Sequence, residues 1–278
     1  MQAKEVLRKN AFRYEKRYGQ NFLTDPELLA ELVEKSGVTA NDTVVEIGVG
    51  AGTLTAALAD KVKRVVGFEI DTRLKSILAE TLNGRKNVDV IFRDIMKISM
   101  GEIENTVGGS FSVVANLPYY ITTPILMRFL EESENVDRIA VTVQEEVADR
   151  MCAAAGTADY GALTCAIDVI GNAKKVMRIP RDMFYPVPNV DSAVAVIEID
   201  RKKYAGVDME AYRDVVRSAF ASRRKTLVNN LMQSFGMERT DAENAVMAVK
   251  GNKMVRGETL TTADFVALSE VISQMRTG

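Results

Sequence analysis

The sequence predicts an α/β protein with a mostly parallel sheet, followed by a smaller all-helical domain. Short apolar runs alternate with amphipathic helical patterns over the first 170 residues, which is typical of a parallel sheet with helices on both faces. From about Met209 onward only helical patterns remain. We expect the boundary in the charged segment Arg201–Asp208, which gives domains of residues 1–205 and 206–278.

The predicted strands are short runs rich in β-branched residues. In the first half of the chain they cover Thr43–Ile47, Val65–Glu69, Val88–Phe92, Phe111–Ala115 and Arg138–Val143. Two later runs, Leu163–Ile170 and Val190–Ile199, are interpreted as a hairpin-like end of the same sheet.

Helical periodicity predicts the intervening elements. Asp25 and Pro26 are typical of an N-cap and a first-turn proline, so a helix is expected from there to about Lys35. The other predicted helices lie near Leu54–Lys61, Arg73–Leu82, Pro124–Glu131, Met209–Ala221, Lys225–Phe235, Asp241–Val249 and Thr262–Met275.

The composition excludes several kinds of chemistry. The chain has 278 residues and no histidine, which rules out an imidazole base and a Ser-His-Asp triad. Its two cysteines, Cys152 and Cys165, match no zinc spacing, and no metal site is expected. No apolar run reaches the length of about 18 residues that a membrane helix needs, and the first 18 residues lack the core of a signal peptide. We therefore expect a cytoplasmic protein with no membrane partner.

Charge is distributed unevenly along the chain. The net charge is only −2, but residues 1–20 hold six Lys or Arg and two acids, and residues 174–278 hold 17 bases and 13 acids. The middle, residues 21–173, has 13 bases and 23 acids. An acidic middle between basic ends fits a protein whose edges meet phosphate, although solvated surface charge would look the same.

A glycine-rich loop follows the first predicted strand. Glu46 precedes Gly48, Gly50 and Gly52, and a helix is expected directly after them. Glycines at this corner permit a tight turn and close approach of the backbone to a ligand. The G-x-G-x-G spacing differs from the dinucleotide pattern G-x-G-x-x-G, which disfavours a dehydrogenase, and is more typical of proteins that bind a nucleoside sulfonium. A plain strand–turn–helix corner is the alternative.

Acidic residues follow the next two strands. Glu69 can accept both hydroxyls of a ribose, and Asp94 can accept a hydrogen bond from an adenine amine. Asp71 is better interpreted as a helix N-cap. Because ligands of open α/β sheets bind at the carboxyl ends of strands, these acids and the glycine-rich loop form a coherent set.

The segment Asn116-Leu117-Pro118-Tyr119 ends the fourth strand. The Asn116 oxygen and the Leu117 carbonyl can accept hydrogen bonds from an exocyclic amine, Pro118 stiffens the turn, and Tyr119 offers a ring for stacking. A packing turn is the alternative. A base held in this way must leave its stack, and Phe184 is a candidate for the second stacking face.

Together the motifs resemble those of the rRNA adenine N6-dimethyltransferase family. They are, in order, Gly19-Gln20-Asn21-Phe22-Leu23, Glu46 to Thr55, Asn116 to Tyr119, and Phe184 to Ser192. The segment Phe220-Ala221-Ser222-Arg223-Arg224-Lys225-Thr226-Leu227 resembles the helical-domain motif of the small-subunit branch.

The resemblance implies a Rossmann-like S-adenosylmethionine-dependent domain and a small helical RNA-binding domain. It implies S-adenosylmethionine as the cofactor. The implied substrate is a pair of adjacent adenosines in small-subunit rRNA, either in the subunit or in a pre-subunit particle. We expect the enzyme to be a monomer. The cofactor-binding residues it implies, with those of the glycine-rich loop, are Asn21, Leu23, Gly48, Gly50, Gly52, Glu69, Asp94 and Asn116. Candidate phosphate contacts are Arg13, Lys16, Arg17, Arg223, Arg224 and Lys225.

Two alternatives to this function stay open at the level of sequence. One is the large-subunit branch of the macrolide-resistance type, which usually has Ile where Leu117 stands. The other is a non-catalytic ribosome-assembly factor on the same scaffold, which the presence of Glu69, Asp94 and Asn116 disfavours.

Overall fold

A computed structural model of the chain describes residues 21–277, which fall into two compact units. The first unit contains the residues up to 148 together with 173–199, and the second contains 149–172 together with those from 200 on. The predicted division at 205 is therefore wrong in one respect, because the segment 149–172 belongs to the helical unit. Its apolar side chains Tyr160, Cys165 and Val169 are buried in the core of that unit.

A seven-stranded sheet forms the centre of the first unit. In chain order the strands of the described residues are β1 (Phe22–Leu23), β2 (Thr43–Ile47), β3 (Arg64–Phe68), β4 (Val88–Ile91), β5 (Phe111–Asn116), β6 (Val136–Gln144), β7 (Gly171–Ile179), β8 (Phe184–Tyr185) and β9 (Ser192–Ile199). The sheet has the order β4-β3-β2-β5-β6-β9-β7, with β2 to β6 parallel and β9 antiparallel to β6. The strands β1 and β8 form a separate antiparallel pair.

The central strands are apolar along their length because both faces of the sheet are covered. Val44, Val65 and Val114 are fully buried. The helices beside them are α1 (Pro26–Lys35), α2 (Thr53–Ala59), α3 (Lys75–Thr81), α4 (Met100–Val107), α5 (Thr122–Glu132) and α6 (Glu145–Met151). The start of α1 is as predicted, since the Asp25 carboxylate accepts hydrogen bonds from the backbone N–H groups of Glu27 and Leu28.

The second unit is helical. Its helices are α7 (Ala162–Asp168), α8 (Met209–Ala219), α9 (Leu227–Phe235), α10 (Arg239–Lys250) and α11 (Thr262–Thr277). They surround one core that includes Tyr212, Leu231 and Phe265. The predicted α/β fold with a small C-terminal helical domain is thus confirmed. No helix within residues 21–277 is long and apolar enough to cross a membrane.

Two elements near the end of the sheet differ from the prediction. The run Leu163–Ile170 is not a strand, because most of it forms the buried helix α7. The strand beside β9 is β7 instead, which the sequence pattern did not reveal. The exposed side chains Lys174, Lys175 and Arg178 give this edge strand a polar sequence.

Candidate active site

A cavity lies at the carboxyl ends of the parallel strands in the first unit. It encloses about 1030 Å³, counting its opening to solvent. Its wall includes Gly48, Gly50, Glu69, Asp94 and Asn116, which follow or end four different strands. Because the ends of parallel strands share one edge of a sheet, residues far apart in sequence meet here, as the sequence pattern predicted.

The glycine-rich loop has a backbone that favours glycine. Gly48, Gly50 and Gly52 have φ values of 76°, 58° and 79°. A Cβ at Gly50 would lie 2.6 Å from the Phe22 ring, whereas one at Gly48 would meet nothing within 4 Å. Gly52 is the N-cap residue of α2, a Cβ there would lie 2.9 Å from Leu78, and Gly52 does not line the cavity.

Glu69 joins the loop to the end of β3. One carboxylate oxygen accepts a hydrogen bond from Gly50 N at 2.7 Å, and the other accepts one from Asp71 N at 2.7 Å. Burial raises the pKa of Glu69, against the effect of these two N–H donors. Asp71 caps the following 3-10 turn, Thr72–Leu74, as predicted.

Glu46 is a residue of the cavity wall to which the sequence pattern gave no role. It is 1% exposed, and its Oε2 has no hydrogen-bond partner among the described residues. Burial raises the pKa of Glu46 to about 8, and the nearby Glu69 charge adds to this rise. The sequence signal is an acid inside an otherwise apolar strand, since burial of a carboxylate is costly unless the group is protonated or paired.

Asp94 lies beyond β4, beside the same cavity. One of its oxygens accepts a hydrogen bond from Met96 N at 3.0 Å and so caps the 3-10 turn Ile95–Lys97. Its side chain is 25% exposed and has Lys97 Nζ at 3.9 Å. The hydrogen bond from Met96 N therefore fixes the orientation of the Asp94 carboxylate. Because the side chain is partly exposed, it can still accept a hydrogen bond from a ligand.

Asn116 ends β5 with a defined orientation. Its Nδ2 donates a hydrogen bond to the backbone carbonyl of Asn21 at 2.8 Å. No donor within residues 21–277 reaches its Oδ1 or the carbonyl of Leu117. Both oxygens remain available as acceptors in a segment that lines the cavity.

The rest of the turn is held by backbone contacts. Leu117 N donates to Thr142 O at 3.3 Å, and the Pro118 carbonyl accepts hydrogen bonds from Ile121 N and Thr122 Oγ1, each at 3.1 Å. Leu117, Pro118 and Tyr119 all line the cavity.

The structure does not bring Phe184 into the cavity. Phe184 pairs through its backbone with Leu23, is 2% exposed and packs in the apolar core with Ile179. Its predicted stacking role stays a prediction that this placement does not support, because a ring enclosed by core side chains has no free face. Leu23 does line the cavity, and its carbonyl accepts a hydrogen bond from Thr53 Oγ1 at 2.8 Å.

The predicted phosphate contacts have different surroundings. Arg13, Lys16 and Arg17 lie outside the described residues. Arg223 donates to the carbonyls of Ala158 and Tyr160, at 3.0 and 2.5 Å, so it holds its own unit together. Lys225 donates to Gln233 at 2.7 Å. Arg224 is exposed and has no hydrogen-bond or ionic partner in the described part of the chain.

The sheet order, the glycine-rich corner and the acidic strand ends define a Rossmann-like domain with a ligand cavity at the carboxyl ends of its strands. Solved structures share the fold. A dimethyladenosine transferase from Plasmodium falciparum superposes with a TM-score of 0.76 at 23% identity, over 91% of this chain and 98% of that one. The 23S rRNA methyltransferase ErmE gives 0.69 at 26% identity, over 91% and 100%.

Sequence comparison identifies the family. The family described as ribosomal RNA adenine dimethylase matches residues 11–274. A protein of Geobacillus thermodenitrificans named ribosomal RNA small subunit methyltransferase A is 43% identical, over 97% of this chain and 94% of that protein. One of the same name from Clostridioides difficile is 40% identical, over 97% and 94%. This chain belongs to the ribosomal RNA adenine dimethylase family and is an S-adenosylmethionine-dependent methyltransferase.

Proposed function

We propose that this enzyme transfers methyl groups from S-adenosylmethionine to N6 of two adjacent adenosines in small-subunit rRNA. The observation that carries the proposal is the orientation of Asn116, whose Nδ2 is taken by Asn21 O while its Oδ1 stays available beside the Leu117 carbonyl. Two acceptors in one rigid turn suit the two N–H groups of an exocyclic amine. Relatives at 40–43% identity carry the small-subunit name, which favours this substrate over large-subunit rRNA.

The cavity residues fit S-adenosylmethionine. The open space at Gly48 leaves room for a ligand against the backbone, and Glu46 Oε2 in the cavity wall has no hydrogen-bond partner among the described residues, which leaves a polar atom for the ligand to meet. In our proposal Glu69 accepts the ribose hydroxyls and Asp94 accepts the adenine amine. When bound, S-adenosylmethionine would supply a methyl group on a sulfonium sulfur, and that sulfur would leave as a neutral thioether when the bond to the methyl group breaks.

Catalysis then depends on the orientation and reactivity of the nucleophile, which is the adenine amine. The lone pair of an adenine amine is delocalised into its ring. Hydrogen bonds from the amine to Asn116 Oδ1 and the Leu117 carbonyl favour a tetrahedral nitrogen and make the lone pair available. Positioning and electrostatics supply the acceleration, and the proton leaves to solvent after transfer, so no strong base is required. We further propose that the enzyme acts as a cytoplasmic monomer on the small subunit or its precursor.

The Asn116→Ala variant tests this proposal. We expect it to lose most methyl transfer to unmethylated small subunits while its affinity for S-adenosylmethionine stays near wild type, because the lost contact is with the reacting amine. Turnover is measured with labelled cofactor, and the methylated adenines are mapped on small and large subunits in parallel. Asn41→Ala, at an exposed loop position, serves as the matched control.

Two results would contradict the proposal. Methyl transfer by Asn116→Ala at the wild-type rate would remove the turn from the catalytic step. Methylation of large subunits alone by the wild-type enzyme would overturn the assignment of the substrate.

A further inference from the structure

Tyr119 and Ser192 share a hydrogen bond between side chains from separate elements. The Tyr119 hydroxyl lies 2.7 Å from Ser192 Oγ. Tyr119 belongs to the turn after β5 and lines the cavity, whereas Ser192 is the first residue of β9 and is fully buried. The bond therefore ties a residue of the cavity wall to a strand of the sheet.

Ser192 is a firm anchor because the chain around it is fixed. The carbonyl of Asp191 accepts a hydrogen bond from Glu145 N at 3.1 Å. The Asp191 carboxylate accepts two more, from Arg181 N at 2.9 Å and from the Arg178 guanidinium at 2.6 Å. Ser192 itself continues into the antiparallel ladder between β6 and β9.

Tyr119 lies in less regular structure. Residues 117–121 form a turn between β5 and α5, outside any strand or helix. Rotation about the side-chain torsions of Tyr119 would move its ring relative to the Asn116 oxygen. Burial raises the pKa of Tyr119, so its phenol stays protonated near neutral pH and keeps both a donor and an acceptor for Ser192.

We propose that Ser192 is a positioning residue, whose hydroxyl holds the Tyr119 ring in one orientation so that the ring receives the target adenine beside Asn116. This inference rests on the proposed function. A correctly placed ring matters for the nucleophile and not for the cofactor, so losing the bond lowers kcat on RNA and leaves cofactor affinity unchanged. We also expect more monomethyladenosine among the products, because the second transfer needs the methylated base to be aligned again.

A double-mutant cycle tests the proposal on the full-length enzyme. The variants are Ser192→Ala, Tyr119→Phe and the double variant, assayed on unmethylated small subunits. Each single variant should lower kcat by about threefold to tenfold, the effect of one hydrogen bond, and the double variant should lose no more than the larger single loss. Ser112→Ala, a buried serine on β5, makes the same chemical change and should behave as wild type.

The outcomes separate the possible explanations. Multiplied losses in the double variant would show that the two hydroxyls act independently and would overturn the proposal. Tyr119→Phe keeps the ring, so wild-type kcat in that variant overturns it even if Ser192→Ala fails to fold. An unchanged ratio of monomethyl to dimethyl product together with a weaker cofactor affinity would assign Ser192 to cofactor binding instead. If wild-type enzyme does not methylate small subunits, the proposed function itself is wrong, and this inference with it.

Discussion

Glu69 combines a structural contact with a proposed binding role. Its carboxylate holds the glycine-rich loop through Gly50 N and is proposed to accept the ribose hydroxyls. We expect Glu69→Ala to weaken S-adenosylmethionine binding by about 1.5–3 kcal/mol, as for hydrogen bonds to a buried charged group. Calorimetry on wild type and variant measures the effect, and thermal unfolding shows the accompanying loss of stability. Equal affinities would remove Glu69 from the binding site.

Glu46 makes stability depend on pH. Its folded-state pKa of about 8 lies above the ordinary glutamate value of 4.5, so the folded state binds the proton more tightly than the unfolded state does. The free energy of unfolding of the ligand-free protein should therefore fall as pH rises through this window. The contribution of Glu46 to that fall is on the order of 4 kcal/mol between about pH 5 and pH 8.

Glu46→Gln isolates this contribution because the amide does not titrate. Urea unfolding at the two ends of the window should show a smaller decrease in stability for the variant than for wild type. The same pH dependence in both proteins would mean that Glu46 ionises normally.

The residues of the cavity wall show which tertiary placements can be predicted from the sequence and which cannot. The convergence of Glu69, Asp94 and Asn116 on one cavity could be predicted because each ends or follows a strand of a parallel sheet. The enclosure of Phe184 could not, since it depends on the antiparallel pairing of β1 with β8, which are far apart in sequence. The hydrogen bond between Tyr119 and Ser192 likewise depends on tertiary packing, and the sequence around either residue does not predict it.

At the scale of elements, the corner between β2 and α2 permits a matched test. Gly48 and Gly84 both have positive φ, of 76° and 81°, and a Cβ at either would meet nothing within 4 Å. Alanine at each should cost about 1–2 kcal/mol of stability through backbone strain alone. Gly48 lines the cavity, so only Gly48→Ala should also weaken S-adenosylmethionine binding. Thermal unfolding measures the loss of stability in both variants, and calorimetry measures their affinity for S-adenosylmethionine. Wild-type affinity in Gly48→Ala would show that the ligand does not approach this backbone.

The elements predicted wrongly share a physical reason. Short apolar runs do not distinguish a buried strand from a buried helix, and α7 contains the buried side chains Leu163, Cys165 and Ile167 in adjacent turns. The strand β7 was missed for the opposite reason, because an edge strand with exposed lysines has no apolar run. Both outcomes depend on which neighbours each segment packs against.

At the scale of the whole molecule, RNA docking should depend on cations of the helical unit. Arg224 and Lys225 are exposed, whereas Arg223 has a structural role through the carbonyls of Ala158 and Tyr160. We expect Arg224→Ala with Lys225→Ala to weaken binding to small subunits and to reduce the slope of log K against log salt by roughly one to two. Affinity for S-adenosylmethionine should not change, because the site that we propose for it lies in the other unit.

Filter binding over a range of salt concentrations measures this slope. Arg239→Ala with Lys253→Ala removes the same charge from exposed positions of the same unit and should leave the slope near wild type. Arg223→Ala alone should lower the melting temperature. An unaltered slope in the first double variant would show that RNA docks elsewhere, with the basic segment of residues 1–20 as the next candidate.

The division of the helical unit between two stretches of chain also bears on protein synthesis. Residues 149–172 leave the ribosome well before α8 to α11, with which their side chains share a core. At translation rates of about 5–20 residues per second, roughly 5–20 s pass between the synthesis of Tyr160 and Cys165 and the completion of those helices. Premature termination near residue 205 would leave this apolar segment without its core. Truncated chains of this kind are therefore expected to bind chaperones or aggregate, whereas a truncated chain in which residue 148 is joined directly to residue 173 would avoid the exposed segment.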